Sequence, residues 1–191
     1  VKLLAIDESS SACGFAYFEA DERPLWTRVI TARGDSWRHR MRSITATLRP
    51  MIKLEELTRP DVVAIEDAVV ARPRPKRTAA DELDTLFDID RPVSSANPMT
   101  GVKMGECRGW LMAHIDSLWP DTRIISVAPA KVRAAAGLSA FARRDESKVR
   151  YRIVAEAMLP GRVMSEDECD SILIGLAAFT QLREERWHAA S

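Results

Sequence analysis

The stretch Leu3-Leu4-Ala5-Ile6-Asp7 decides the fold class, because a run of four apolar residues stops at a carboxylate. Apolar side chains on successive positions, rather than alternate ones, mark a strand covered on both faces. The same phrase recurs in Asp61-Val62-Val63-Ala64-Ile65-Glu66, again ending on an acid. Two such strands, side by side and parallel, would carry Asp7 and Glu66 to one edge of a sheet. That carboxyl edge is where open α/β sheets build their sites. One strand-terminal acid means little, since acids often close strands. The repeated pattern makes these two candidates.

Outward from this pair, Gly14 to Ala20 and Leu25 to Ala32 predict further strands, separated by the turn-like Asp21-Glu22-Arg23-Pro24. Short links make these an antiparallel meander with the first strand. Trp37, Met41, Ile44, Leu48, Met51 and Ile52 then recur at three- and four-residue steps, predicting an amphipathic helix with Ser36 as N-cap and a kink at Pro50. Thr100 to Trp119 predicts a helix and Thr122 to Val127 a strand. Further helices begin at Pro129, run from Glu146 to Leu159, and run from Glu166 to about Arg186. The order βββαβαβ followed by helices predicts an α/β fold, a mixed five-stranded sheet (antiparallel meander plus parallel strands) flanked by helices. One domain is expected over residues 1–191, with a proline-bearing loop excursion at about 72–98 and a short helix within it near Ala79 to Phe87.

Composition narrows the function. With 191 residues, 46% of them hydrophobic and 29% charged, the chain suits one globular domain. No apolar run is long enough to span a bilayer, and the N-terminus enters a strand without a signal-peptide pattern, so a cytoplasmic protein with no membrane partner is expected. Cys13, Cys107 and Cys169 form no CxxC pair, which argues against a zinc site or disulfide framework. Zero net charge excludes a wholly basic nucleic-acid coat, but the charge is segregated. Cations gather at Arg72, Arg74, Lys76 and Arg77 and again from Lys131 and Arg133 to Lys148 and Arg150; acids gather at 81–90 and 166–170.

Asp167 and Asp170 lie three apart on a predicted helix and share a face, with Glu166 four before Asp170. The apolar stripe Cys169, Leu173, Leu176 and Thr180 is expected to dock that helix on the sheet, turning both aspartates toward the strand ends. Acids at a helix start also suit the macrodipole, which explains them there but not Asp7 and Glu66. Converging carboxylates repel one another unless cations neutralise them. Hard oxygen donors without imidazole or thiolate suit two Mg²⁺ ions, with Mn²⁺ able to substitute. Paired ions of that kind hydrolyse phosphodiesters.

These segments carry a family resemblance. Ala5-Ile6-Asp7, Ala64-Ile65-Glu66 and Asp167-Glu168-Cys169-Asp170-Ser171-Ile172-Leu173 resemble the three acidic motifs of the RuvC family of Holliday junction resolvases. Val102-Lys103-Met104-Gly105-Glu106-Cys107-Arg108-Gly109 is similar to its central helix, and Pro129-Ala130-Lys131-Val132-Arg133 and Glu146-Ser147-Lys148-Val149 to its basic segments. The resemblance implies an RNase H-like fold and a homodimer. It further implies metal held by Asp7, Glu66, Asp167 and Asp170, and paired nicks across a four-way DNA junction leaving 5′-phosphate and 3′-hydroxyl ends. DNA contacts are expected from Arg72, Arg74, Lys76, Lys103, Arg108, Lys131, Arg133 and Lys148. The chain departs from the pattern after Asp7, where Glu8-Ser9-Ser10-Ser11 replaces a Pro-Gly turn, and after Glu66, where Asp67-Ala68-Val69 replaces an aromatic residue.

Three other readings stay open. A broader debranching nuclease would also cut flaps and forks, and a silent junction-binding protein would bind without cleaving. An actin-like ATPase would use Ala5-Ile6-Asp7-Glu8-Ser9-Ser10-Ser11 for phosphate. Eight glycines and no second phosphate motif argue against a nucleotide cofactor.

Overall fold

Leu3 and Ala5 pack into one apolar layer and Leu4 and Ile6 into another, as a strand buried on both faces requires. The structure, a computed structural model, describes residues 1–9, 11–54, 58–67 and 98–190. Its elements run β1 (Leu3–Asp7), β2 (Ala12–Phe18), β3 (Pro24–Thr31), α1 (Trp37–Leu54), β4 (Val62–Glu66), α2 (Pro98–Leu118), β5 (Arg123–Val127), α3 (Pro129–Ala135), α4 (Arg144–Met158) and α5 (Glu166–Ala190). The strands form one mixed sheet in the order β3-β2-β1-β4-β5. β1 is antiparallel to β2 and parallel to β4, and β4 is parallel to β5.

The expected fold class is therefore the observed one, with shifted boundaries. β2 ends at Phe18 rather than Ala20, because Ala20 adopts φ +70° in the turn toward β3. β3 opens on Pro24, tolerated because β3 is an edge strand. Ser36 caps α1, its Oγ accepting the His39 amide at 3.2 Å. The helix continues through Pro50, which lacks the amide that would bond to the Ala46 carbonyl. The short helix expected near Ala79 to Phe87, and the excursion around it, lie outside the described residues.

α1 and α2 cover one face of the sheet, where Met41, Ile44, Leu48, Leu111 and Ile115 meet Leu4, Ile6, Phe15 and Val63. On the other face α5 lies against β1 and β2, with α3 and α4 outside it. This position corrects the expectation of a single apolar stripe on α5. Ser171 through Phe179 are all buried, while Thr180 is exposed. A helix between a sheet and two other helices must be apolar nearly all round, and each fully buried Leu or Ile contributes about 1.5–3 kcal/mol. Gly175 allows the approach, because a Cβ there would overlap the Phe18 ring.

All three cysteines are free and buried. Gly105 and Gly109 do not mediate helix packing within the described chain, since a Cβ at either would meet nothing within 4 Å. Among the described residues, no helix is long and apolar enough to cross a membrane.

Candidate active site

Asp7 and Glu66 stand one step beyond the last registered pair of β1 and β4, Ile6 and Ile65, at the shared carboxyl edge. The first turn of α5 crosses that edge. Gly14, paired with Asp7 on β2, makes the crossing possible, because a Cβ there would penetrate the Asp167 carbonyl group. The turn is held by a capping box: the Ser165 Oγ accepts the Glu168 amide at 3.2 Å, and Glu168 Oε2 accepts the Ser165 amide at 3.0 Å. The other Glu168 oxygen accepts from Thr27 Oγ1 at 2.9 Å and Arg162 Nη2 at 3.0 Å, tying the turn to β3. Ser165→Ala removes one side of the box. It should cost about 1 kcal/mol, a fall of about 2–4 °C in Tm by thermal melt.

Asp7, Glu66, Asp167 and Asp170 consequently line one cleft of about 490 Å³, with Glu166, Lys148, Arg133 and Arg144 among the other lining residues. Lys148 Nζ donates to Asp170 Oδ2 and lies 3.8 Å from Glu166. Burial pushes the Asp7 carboxyl up to about 8, helped by the Asp170 and Asp167 charges and opposed by Lys148. Glu66 is raised by burial and by Asp170, against the pull of Arg133 and Lys148. Asp170 is raised by burial even though Lys148 bonds to it. Burial alone would lower Lys148, but the hydrogen bond and charge of Asp170 raise it, so the amine stays an ammonium at neutral pH.

Crowded acids that resist ionising are a binding place for added positive charge. Among the described residues, no group of three or more His, Cys, Asp or Glu side chains is already drawn together in metal-holding geometry. The donor set nonetheless fits a divalent cation. Every acidic donor is a carboxylate oxygen, and Asp170 Oδ1 is buried without a hydrogen-bond partner.

The expected cations divide. Lys148 and Arg133 line the cleft, and Arg133 also donates to the Ala140 carbonyl at 3.0 Å. Lys131 is not among the cleft-lining residues and pairs with Glu184 at 2.6 Å. Arg108 is held inside the protein by Glu66, Ser126, Glu8 and Asp67. Lys103 falls on α2, but its side chain, like the whole of Arg72, Arg74 and Lys76, lies outside the described residues.

Sequence reasoning missed Arg144 and Tyr151 as lining residues, although with Lys148 they repeat at helical spacing on one face of α4. It also missed Ser9 and Ser11. Ser9 Oγ accepts the Ser11 and Ala12 amides at 3.1 Å each, tying the chain after β1 to the start of β2.

A five-stranded mixed sheet in this order, with helices on both faces and acids at the edge of its central strands, is the RNase H-like α/β fold. Solved structures place it more closely, as the fold of RuvC. The chain is similar to Thermus thermophilus RuvC, with TM-score 0.61 and 16% identity, covering 97% of each chain. It is similar to T. thermophilus RuvC in complex with a Holliday junction substrate, with TM-score 0.58 and 15% identity, covering 96% of each. A Fowlpox virus resolvase in complex with its substrate Holliday junction DNA matches with TM-score 0.50 and 13% identity, over 95% of this chain and 99% of that one. No protein-family profile matches the chain, and no curated protein does.

Proposed function

We propose that this protein is a metal-dependent endonuclease that resolves four-way DNA junctions as a homodimer. The observation that carries the reading is the convergence of Asp7, Glu66, Asp167 and Asp170, from two strands and a helix, beside Lys148, Arg133 and Arg144. The solved structures of similar fold include two resolvases bound to Holliday junctions, which supports the same substrate class here.

In this reading the four carboxylates bind Mg²⁺ or Mn²⁺, two ions per site. When bound, the metal supplies charge neutralisation at the phosphate and an acidified water as nucleophile. Lys148, cationic at neutral pH, orients a phosphate oxygen beside the acids, and Arg133 and Arg144 hold flanking phosphates by charge-assisted hydrogen bonds. The homodimer is supported by one face of α2, where Val102 is exposed and Gly105 and Gly109, at helical spacing from it, have open space among the described residues. In this reading the enzyme acts on DNA in the cytoplasm.

The test compares synthetic four-way junction, flap, fork and linear duplex at matched salt, with Mg²⁺ or with chelator. Paired nicks confined to the junction, and lost in chelator, are expected. Equal cutting of flaps and forks would replace the junction-specific reading with a debranching one. Binding without metal-dependent cleavage would overturn the nuclease.

A further inference from the structure

The geometry points to Arg108 as a positioning residue that fixes Glu66 from the opposite face of the sheet, and not as a DNA contact. This rests on the reading of Glu66 as a metal ligand. Arg108 projects from α2, on the face away from α5. Its Nη1 donates to the Glu66 main-chain carbonyl at 2.7 Å and its Nη2 to Ser126 Oγ at 2.5 Å. The same Nη1 lies 3.6 Å from Asp67 Oδ1 and 3.9 Å from Glu8 Oε1. One guanidinium therefore spans the ends of β1, β4 and β5, behind the edge that carries Asp7 and Glu66.

Three features make this a built arrangement. The Arg108 side chain is only 13% exposed, so most of its hydration is already exchanged for these partners. Glu8 is 8% exposed, and neither of its carboxylate oxygens has a hydrogen-bond partner, which leaves Arg108 as its compensating charge among the described residues. The Asp67 amide donates to the Val127 carbonyl at 2.7 Å, so the peptide after Glu66 is held from both sides. Fixing that peptide fixes the direction in which the Glu66 side chain leaves β4. A phosphate recruiting Arg108 would have to strip it from all of these groups. Lysine cannot replace it, because one ammonium lacks the fork that reaches Glu66 and Ser126 together.

The experiment measures Mn²⁺ binding to DNA-free protein by electron paramagnetic resonance, with junction binding in Ca²⁺ over a salt series. Arg108→Lys should weaken Mn²⁺ binding about 10–100-fold, as loss of groups that orient metal ligands does. The slope of log K against log salt should match wild type. The opposite pattern, unchanged Mn²⁺ affinity with a slope reduced by about one unit, would show a phosphate contact and overturn the assignment. Removing the arginine outright strands Glu8, so the double variant Glu8→Gln/Arg108→Gln is measured as well. The same weakening in a folded double variant supports positioning, and wild-type affinity there overturns it. If wild-type protein binds no Mn²⁺, the metal reading of the cleft fails with it. If wild type binds and Arg108→Lys binds equally well, only the positioning role fails.

Discussion

Asp7→Asn is expected to lower metal-dependent junction cleavage by at least about 10³-fold, roughly 4 kcal/mol of barrier, while leaving a folded, DNA-binding protein. Asp7 stands at the end of the central strand, and the charges of the other three candidate acids all act on it. Asparagine keeps its shape and removes its charge. The variant also has a stability signature that no cleavage assay reads. The Asp7 carboxyl is raised from 3.8 to about 8 in the folded protein. A folded-state value above the unfolded one contributes stability that is fully present below about pH 4 and lost as pH rises through about 8. Glu66 and Asp170 shift in the same direction. Metal-free wild type should therefore be less stable at pH 8.5 than at pH 5, by an amount on the order of a few kcal/mol. Asp7→Asn should flatten that slope and melt above wild type at the alkaline end. Mg²⁺ should stabilise wild type and not the variant, since only a ligand bound by the native state raises Tm. Chemical denaturation at the two pH values, with and without Mg²⁺, checks both signs. A variant less stable than wild type at pH 8.5 without metal would contradict the electrostatics described for the cleft.

The second large effect is expected at a residue with no side chain. Gly14→Ala places a methyl group inside the Asp167 carbonyl, a backbone group that cannot rotate away. The first turn of α5 must then lift from β2, yet that turn is tied to β3 through Glu168, Thr27 and Arg162. Strain of about 2–3 kcal/mol or more follows, a fall of about 6–10 °C in Tm. Lifting the turn also carries Asp167 and Asp170 away from Asp7 and Glu66. Displacement of about 1 Å at a reacting site costs on the order of 10²-fold in rate, so the folded fraction should cleave poorly as well. Melting curves together with activity per folded molecule separate the two losses. Wild-type values for both would mean that Gly14 does not set the height of the helix over the sheet.

Much of this arrangement was legible in the sequence, for physical reasons. Leu3 to Asp7 and Val62 to Glu66 announce themselves because a doubly covered strand leaves no polar alternation, and the change to a carboxylate marks where cover ends. Ser171 to Phe179 contains no charge at all, which fits a helix enclosed on every side; reading one stripe there overlooked Ile172, Ile174 and Ala178. The Ser165-x-x-Glu168 box was present as a pattern and passed unread behind the acids around it. Gly14 could not be singled out, since glycine within a strand gives no sign of what approaches it. Arg108 reads as an exposed basic residue because spacing on a helix shows which residues share a face and says nothing about what that face meets.

The place of β1 between β2 and β4 has a consequence for how the protein loses activity. Its amides and carbonyls are paired on both sides, so proton exchange with solvent along Leu4 to Ile6 requires opening of the whole sheet rather than local fraying. The aspartate at its tip, registered with Gly14 on one side only, marks where that protection ends. Exchange along Leu4 to Ile6 and global denaturation then share one transition, while the first turn of α5, which carries Asp167 and Asp170, can open before it.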